Sequence, residues 1–478
     1  MATSKSKIKS KMKSKAKKKR TQSHHSLFGA VAALFAAAAL GFLSQRSSRS
    51  SAGRYECYDI AGRVKRVKWT SSGEIVRRYD EPVILEGSPA SSAWPAFDWT
   101  PQKIQAAVAT FRRQATVEKG KEYIYQFPTT PIGKWLGKEP AARLAPFQNV
   151  THNVSAASFF ESAAADAADD AAPSLVYKYV QGWKGDFERL SNDVSPRSWL
   201  RIPHLWPGRE QLWLGYGGGG TRVHFDHCWN FVVQIKGEKE FILSPPSEWQ
   251  RFKDFPRIHP NVAFSQLDFS TSSSSCAARE KPRAWTARVG PGDVLYIPPF
   301  YWHHTKVVST NMSIGLTYFT NVQMLGKLEH LSVPSSLHPH LERNADARLA
   351  SFYALLTAIS RDALGMSSNA FASSVFNGRY KLLIGSIFSS CDAACPPLQA
   401  QRIQDVSNDP EDPMRVRRIV DAVHGWSDLF PGWSAKEVRA VAQIVASDYL
   451  EDLLVYVLGD DPASSCAMWR CFQQMRRA

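Results

Sequence analysis

The run HFDHCWN, residues 224–230, decides how this chain folds once it is read with PPFYWHH at 298–304. A single residue separates His224 from Asp226. In an extended segment, side chains at i and i+2 point to one face, so an imidazole and a carboxylate converge on one point. The second run adds another imidazole, His303 or His304. Two His and one carboxylate on one face of a metal, with the other positions open, form the ligand set of non-haem Fe(II) oxygenases. An HxD pair alone is ordinarily a solvated or core feature, so the neighbouring residues decide its weight.

Those neighbours alternate like strands. WNFVVQI at 229–235 reads as a buried strand, Lys236-Gly237 as a tight turn, and EKEFIL at 238–243 as a second strand. Upstream of the second run, ARVGPGDVLYIPP contains a Pro-Gly turn, a short apolar strand and a proline-bounded loop. Both ligand segments therefore stand on or beside strand ends, where a sheet holds side chains rigidly.

Together these segments resemble the JmjC or cupin-like family of 2-oxoglutarate oxygenases, with the asparaginyl hydroxylase branch as the nearest likeness. The resemblance rests on Thr221, His224, Asp226, Asn230, Phe231, Gln234, Gly237 and Lys239, on the run from Gly290 to Pro298, and on Trp302-His303-His304. EPVILEG at 81–87 and AWPAFDWT at 93–100 extend it upstream; DALG at 362–365 and NGRYK at 377–381 extend it downstream. It covers residues 78–385, with low identity between the motifs.

The resemblance implies His224, Asp226 and His303 as ligands of Fe(II), with His304 packed or hydrogen-bonded nearby. It implies 2-oxoglutarate as co-substrate beside O2, its distal carboxylate held by Lys239, Thr221 and a tyrosine of YKYVQ, with Tyr179 preferred over Tyr177. Asn230 is implied to lie near the co-substrate. Thr317 of SIGLTYF stands where the hydroxylases carry Asn, a departure that retains a hydrogen-bond donor. The implied reaction couples decarboxylation of 2-oxoglutarate, giving succinate and CO2, to hydroxylation of an unactivated carbon. Phe300 and Trp302 are expected to wall the cavity or simply to pack.

Lys239 also has a reading of its own. It alternates with Glu238 and Glu240, so it can point inward while they point out. A buried unpaired ammonium costs several kcal/mol, roughly, and an inward Lys therefore wants an anion. The plain alternative is a surface Lys in a KGEKE turn.

Composition sets the outer limits. The 478 residues carry a formal charge of +16, but residues 1–55 hold thirteen Lys or Arg and no acid, leaving the rest near +3. That balance gives no support for a nucleic-acid-binding surface, and no nucleic-acid partner is expected. Residues 1–25 read as a basic cytosolic tail. The uncharged segment SLFGAVAALFAAAALGFL, 26–43, reads as a transmembrane signal anchor, which needs roughly 17 to 25 apolar residues. With the basic run inside, the protein is expected to be a single-pass type II membrane protein with its bulk in the ER or Golgi lumen. A cleaved or organelle-targeting peptide and a nuclear signal are the alternatives.

Seven cysteines do not make a disulfide scaffold. Cys391 with Cys395 and Cys466 with Cys471 are close pairs that could form disulfides within or between them in a lumen, or remain free thiols. Asn149-Val-Thr and Asn153-Val-Ser are glycosylation sequons in a polar stretch.

Residues 44–77 read as a Ser/Arg-rich stalk, 78–325 as the catalytic domain and 326–478 as a helical C-terminal domain. Thr100-Pro101 starts a helix to about 114, 122–127 is a strand, and 155–172 is an acidic Ala-rich helix or insert. Helices are expected at 341–365, 368–390, 413–429, 435–458 and 465–477. The architecture is thus mainly β with α: a double-stranded β-helix, the cupin or jelly-roll core, with flanking helices and a helical C-terminal domain. A protein or peptide substrate is expected. The alternatives are a lysine demethylase, a small-molecule or nucleoside hydroxylase, and a catalytically silent cupin binding module. Apolar residues on more than one face of 341–390, Leu355, Leu356, Ile359, Leu364, Phe371, Val375 and Leu382 among them, further predict a homodimer, the alternative being a monomer in which the helices after 413 cover that face.

Overall fold

The structure is a computed structural model, and it describes residues 56–90, 94–118, 120–124, 147–168, 176–194, 205–270, 276, 280–308, 312–321, 324–392, 395–396 and 403–475. The expected anchor at 26–43 and the end of the expected strand at 125–127 lie outside them. The chain divides into residues 1–57 and 58–478. The fold is that of the second unit.

Its strands are β1 (Asp59–Arg63), β2 (Lys65–Lys68), β3 (Val83–Glu86), β4 (Thr110–Glu118), β5 (Gln148–Ser155), β6 (Val176–Trp183), β7 (Leu205–Gly215), β8 (Cys228–Lys236), β9 (Lys239–Ser244), β10 (Arg283–Val289), β11 (Val294–Ile297), β12 (Trp302–Val307) and β13 (Ser313–Asn321). They form a small sheet, β1-β10-β9-β12, and a large one, β2-β3-β11-β8-β13-β7-β6-β4-β5. Of the strands from β8 to β13, β8, β11 and β13 lie in the large sheet and β9, β10 and β12 in the small one, so the chain crosses repeatedly between the two and the core is a double-stranded β-helix of jelly-roll type. Gly237, at φ +64°, lets the chain leave β8 and enter β9 in the opposite sheet within two residues.

Each sheet face has its own apolar filling. Val232, Leu295 and Ile297 of the large sheet meet Phe241, Leu243, Ala287 and Val289 of the small one inside the barrel. On the outer face of the large sheet, Phe231, Val233, Tyr296 and Leu316 pack with Ile104, Phe111, Phe159 and Phe160. β8 is paired on both edges, by β11 and β13, and covered on both faces. That explains why CWNFVVQIK is apolar almost throughout rather than alternating.

Helix α1 (Pro101–Ala107) starts as expected, the Thr100 hydroxyl accepting the Lys103 N–H at 3.1 Å. It does not run to 114. Residues 110–118 form β4, paired with both β5 and β6, because Phe111, Ala115 and Val117 all find buried positions on that strand. Tertiary pairing overrides the helical pattern. Of the strand expected at 122–127, Tyr123 makes one parallel bridge to Thr221. The Ala-rich segment is helix α2 (Ala156–Ala168). The stretch read as a stalk to residue 77 is not a stalk in its latter part: β1 pairs with β10 and β2 with β3, edge positions that suit the short polar sequences DIAGR and KRVK.

Beyond β13 the chain is helical: α3 (Ala345–Ala358), α4 (Ser368–Val375), α5 (Asp412–His424), α6 (Ala435–Leu458) and α7 (Pro462–Gln474). Asn344, Ser367, Ser434 and Asp461 cap the starts of α3, α4, α6 and α7. Leu355, Leu356, Ile359, Phe371 and Val375, from which a dimer face was expected, are fully buried within one chain. Helices α5 to α7 cover that face, and only Leu382 remains 47 % exposed. The apolar motive for a homodimer is therefore met inside the chain. Cys391 is bonded to Cys466 and Cys395 to Cys471, so the disulfides run between the two cysteine pairs and tie 391–395 to α7.

Candidate metal centre

The loop that precedes β8 lies against β12 through a two-way backbone bridge. The His224 N–H donates to the His303 carbonyl at 3.1 Å, and the His303 N–H donates back at 2.7 Å. Opposite residues of an antiparallel pair send side chains to the same face, so the imidazoles meet with ring centroids 4.0 Å apart. Asp226, two residues on, brings Oδ2 to 3.6 Å from His303 Nε2. The ligating atoms of His224, Asp226 and His303 all lie within 4.8 Å of one another.

The chemistry of this trio fits a divalent metal. His224 Nδ1 is 2.8 Å from the Arg222 carbonyl and His303 Nδ1 is 3.0 Å from that of Tyr301. A carbonyl only accepts, so each Nδ1 carries the proton and each Nε2 keeps its lone pair for the ion. Burial lowers the His224 pKa to about 3, with neighbouring His303 adding to the effect, so this imidazole is neutral. The Asn230 amide donates to Asp226 Oδ2 at 2.7 Å and fixes its rotamer. Phe264 stacks on the His224 ring at 4.9 Å and closes that side.

Two backbone features hold the loops together. Phe300 adopts φ +60°, unusual for a non-glycine residue and costing about 1–3 kcal/mol. In that conformation its N–H reaches the Asp226 carbonyl at 2.7 Å. At Gly220 a Cβ would lie 2.0 Å from the Thr305 carbonyl, so only glycine allows the TRVHFD segment to approach β12 this closely.

Lys239 begins β9 and lies opposite Val307, while Leu243 lies opposite His303. Residues 239, 241 and 243 share one face, so Lys239 projects to the same interior side as His303. It is 5 % exposed. Its Nζ lies 5.7 Å from the Tyr179 ring and 5.9 Å from the Trp213 ring. Among the described residues no carboxylate is paired with it, and burial alone lowers its pKa to about 8. Glu238 instead pairs with exposed Arg288, as the alternation predicts. Thr221 is buried and its side chain is hydrogen-bonded to the Tyr179 phenol, whose pKa burial raises. Gly215 leaves room for that phenol ring, since a Cβ there would lie 2.9 Å from it. Lys239, Thr221 and Tyr179 thus come together as a cationic, donor-rich cradle whose chemistry fits a carboxylate.

The remaining expected residues separate. Asn230 donates its amide N–H to the Asp226 carboxylate and so stands beside the ligand trio. Thr317 accepts the Trp213 indole N–H at 3.1 Å and so sits behind the cradle. His304 points to the opposite side of β12 from His303. There it bonds Tyr58 Oη at 3.0 Å and the Glu122 carboxylate, the packed role foreseen for it. Trp302, on that same side, stacks on Phe252 at 4.5 Å and is core rather than cavity wall.

Sequence reasoning missed a buried ionic cluster next to the centre. Arg379, 1 % exposed, pairs with Asp254 at 2.9 Å, Asp448 at 2.7 Å and Glu451 at 2.6 Å. Burial, the largest effect, raises Asp254 to about 6 and Glu451 to about 7. Asp448 falls below its ordinary value because Arg379 and His227 outweigh the burial that opposes them. The 221-residue gap between His227 and Asp448 left no local pattern to read.

Comparison with known proteins agrees with this geometry. The cupin-like domain model matches residues 74–322, just over half of the chain. Among curated proteins, the tRNA wybutosine-synthesizing protein 4 of Aspergillus oryzae is 31% identical over 142 residues, covering 28% of this chain and 12% of that protein. JmjC domain-containing protein D of Dictyostelium discoideum is 33% identical over 105 residues, 21% of this chain and 23% of that protein. The HSPB1-associated protein 1 homolog of Danio rerio is 24% identical over 230 residues, 45% and 47% of the two chains. The chain thus spans less than half the length of each of these relatives. With its jelly-roll core, its converging His224, Asp226 and His303, and JmjC-domain proteins among its relatives, the protein belongs to the cupin-like domain family.

Proposed function

We propose that this chain is an Fe(II)- and 2-oxoglutarate-dependent oxygenase that hydroxylates a protein side chain. One observation carries the reading: a buried ammonium, Lys239, stands on the same strand face as the ligand trio and has no paired anion among the described residues. Buried charge is kept where something pairs with it. A dicarboxylate co-substrate would supply the anion for Lys239.

With Fe(II) and 2-oxoglutarate bound, the pair supplies O2 activation, releasing succinate and CO2 as one oxygen atom enters a C–H bond of the substrate. The chain's own residues do the rest. His224 and His303 offer their Nε2 atoms, and Asp226 offers a carboxylate held in place by Asn230. Lys239 would neutralise the far carboxylate of the co-substrate, with the hydrogen-bonded Thr221–Tyr179 hydroxyl pair offering it one further donor. The Phe264 ring, stacked on His224, excludes water from one side of the centre.

A protein substrate is preferred over chromatin demethylation, because no chromatin-reading module is recognisable in the sequence and residues 26–43 read as a membrane anchor. We also place the folded part in an oxidising lumen. Six of the seven cysteines are disulfide-bonded. Asn149 and Asn153 are exposed on β5, which among the described residues pairs only with β4. The anchor itself lies outside the described residues; within them, no helix is long and apolar enough to cross a membrane.

The test is succinate release by the purified protein with Fe(II) and 2-oxoglutarate, across peptides and, given the wybutosine-synthesis relatives, modified nucleosides. Release that rises with a peptide supports the proposal. Release only with nucleosides would redirect the substrate, and no 2-oxoglutarate turnover at all would defeat the oxygenase reading.

A further inference from the structure

His227 follows the metal ligand Asp226 directly, yet its side chain belongs to the helical part of the molecule. Its Nε2 lies 3.1 Å from Asp448 Oδ2, in the middle of α6. Asp448 cannot drift, because its other oxygen is held by the Arg379 guanidinium at 2.7 Å. Arg379 stands on a π-helical turn, Phe376–Tyr380. The His227 ring also meets the Phe300 ring edge-on, 5.1 Å between centroids, and packs against Phe225 at 5.3 Å. Phe300 is the residue whose left-handed backbone sends its N–H to the Asp226 carbonyl at 2.7 Å.

These contacts form one continuous path. α6 holds His227 through Asp448, His227 braces Phe300, and Phe300 holds the backbone of Asp226. A non-glycine residue keeps a left-handed conformation only where its surroundings over-determine it. Here His227 is the part of those surroundings that is tied to the helices.

We infer that His227 and Asp448 are positioning residues: through Phe300 they set the carboxylate of Asp226, so the C-terminal helices govern how tightly the centre holds its metal. The inference rests on the metal reading of His224, Asp226 and His303. It goes beyond that reading by assigning the helical part a role in metal affinity rather than in fold stability alone. His227 is about a third exposed, so its removal leaves little void.

The experiment titrates Co(II), an optical stand-in for Fe(II), into the metal-free full chain and its His227→Ala, His227→Gln and Asp448→Asn variants. Affinity, the cobalt visible spectrum and the metal-free unfolding midpoint are all recorded. Loss of an outer partner of a metal ligand weakens metal binding about ten- to a hundredfold. His227 acts on Asp226 one contact further out, through Phe300, so a loss at the lower end, about tenfold, is expected for His227→Ala, with an altered spectrum and a nearly unchanged metal-free midpoint. His227→Gln, whose amide can still donate to Asp448 but which carries no ring to brace Phe300, should lose nearly as much affinity as His227→Ala. Asp448→Asn should fall between wild type and His227→Ala. A His227→Ala protein with wild-type affinity and spectrum overturns the inference. If His227→Gln keeps wild-type affinity, the Phe300 arm of the path is overturned; if Asp448→Asn does, the Asp448 arm is. Should wild type itself bind no Co(II), the metal reading fails instead, and His224→Ala serves as the reference for that outcome.

Discussion

His224 and His303 are joined backbone to backbone, each N–H donating to the carbonyl of the other at 3.1 and 2.7 Å. This bridge, rather than either side chain, brings the loop before β8 onto β12. The ligand geometry is thus a property of the main chain, and the imidazoles can be removed without unpinning the loops.

His224→Ala should therefore leave the fold largely intact while removing the metal. The bridge survives, and the losses are one ligand and the stacking on Phe264. Metal content after reconstitution and succinate release are the measurements. Both should fall to background, whereas unchanged iron content would refute the ligand assignment.

Lys239→Ala should weaken 2-oxoglutarate binding roughly ten- to a hundredfold, the loss of a charge-assisted hydrogen bond of about 1.5–3 kcal/mol. Iron binding should change much less. The same lysine sets a pH dependence. Burial lowers its pKa from the ordinary 10.5 to about 8 in the ligand-free protein. Between those two values the unfolded chain keeps the proton and the folded chain has lost it, so ligand-free stability gains with rising pH across that window. Co-substrate binding needs the ammonium, so its affinity should fall as pH rises above about 8. Calorimetric titrations on either side of that pH, with Lys239→Ala as the flat control, check both signs.

Arg379→Ala should destabilise the protein by about 3–5 kcal/mol, because it strands Asp254, Asp448 and Glu451 in the interior. The deficit should shrink in acid. Asp254 and Glu451 already titrate high, near 6 and 7, and protonation relieves their unpaired charge. Urea unfolding at about pH 7 and about pH 5 measures this. An equal deficit at both would show that lost packing, not stranded charge, is the cause.

The disulfides and sequons test the location. Non-reducing peptide mapping of the expressed full chain should recover Cys391 linked to Cys466 and Cys395 linked to Cys471. A glycosidase-sensitive mass shift should disappear when Asn149 and Asn153 are both changed to Gln. Fully reduced cysteines together with an absent glycan would count decisively against a lumenal protein.

Much of this site was legible because its signals are local. The i, i+2 spacing of His224 and Asp226 and the alternation of Lys239 with Glu238 and Glu240 follow from the two-residue period of a strand, which needs no knowledge of the partner. The Thr100 cap and the Ser434–Glu437 start of α6 are equally short in range. Tertiary structure decided what depends on pairing. Residues 110–114 kept a helical pattern but became the start of β4, because β5 pairs along them and β6 takes up the other edge from Gln114 onward. His304 turned outward to Glu122 and Tyr58 while His303 turned inward to Asp226, a choice made by the register of β12 on β9. The disulfide pairing, the Arg379 cluster and the tie from Asp448 to His227 join segments between 69 and 221 residues apart. No periodicity spans such distances; the packed core brings those segments together, and only then do their side chains acquire partners.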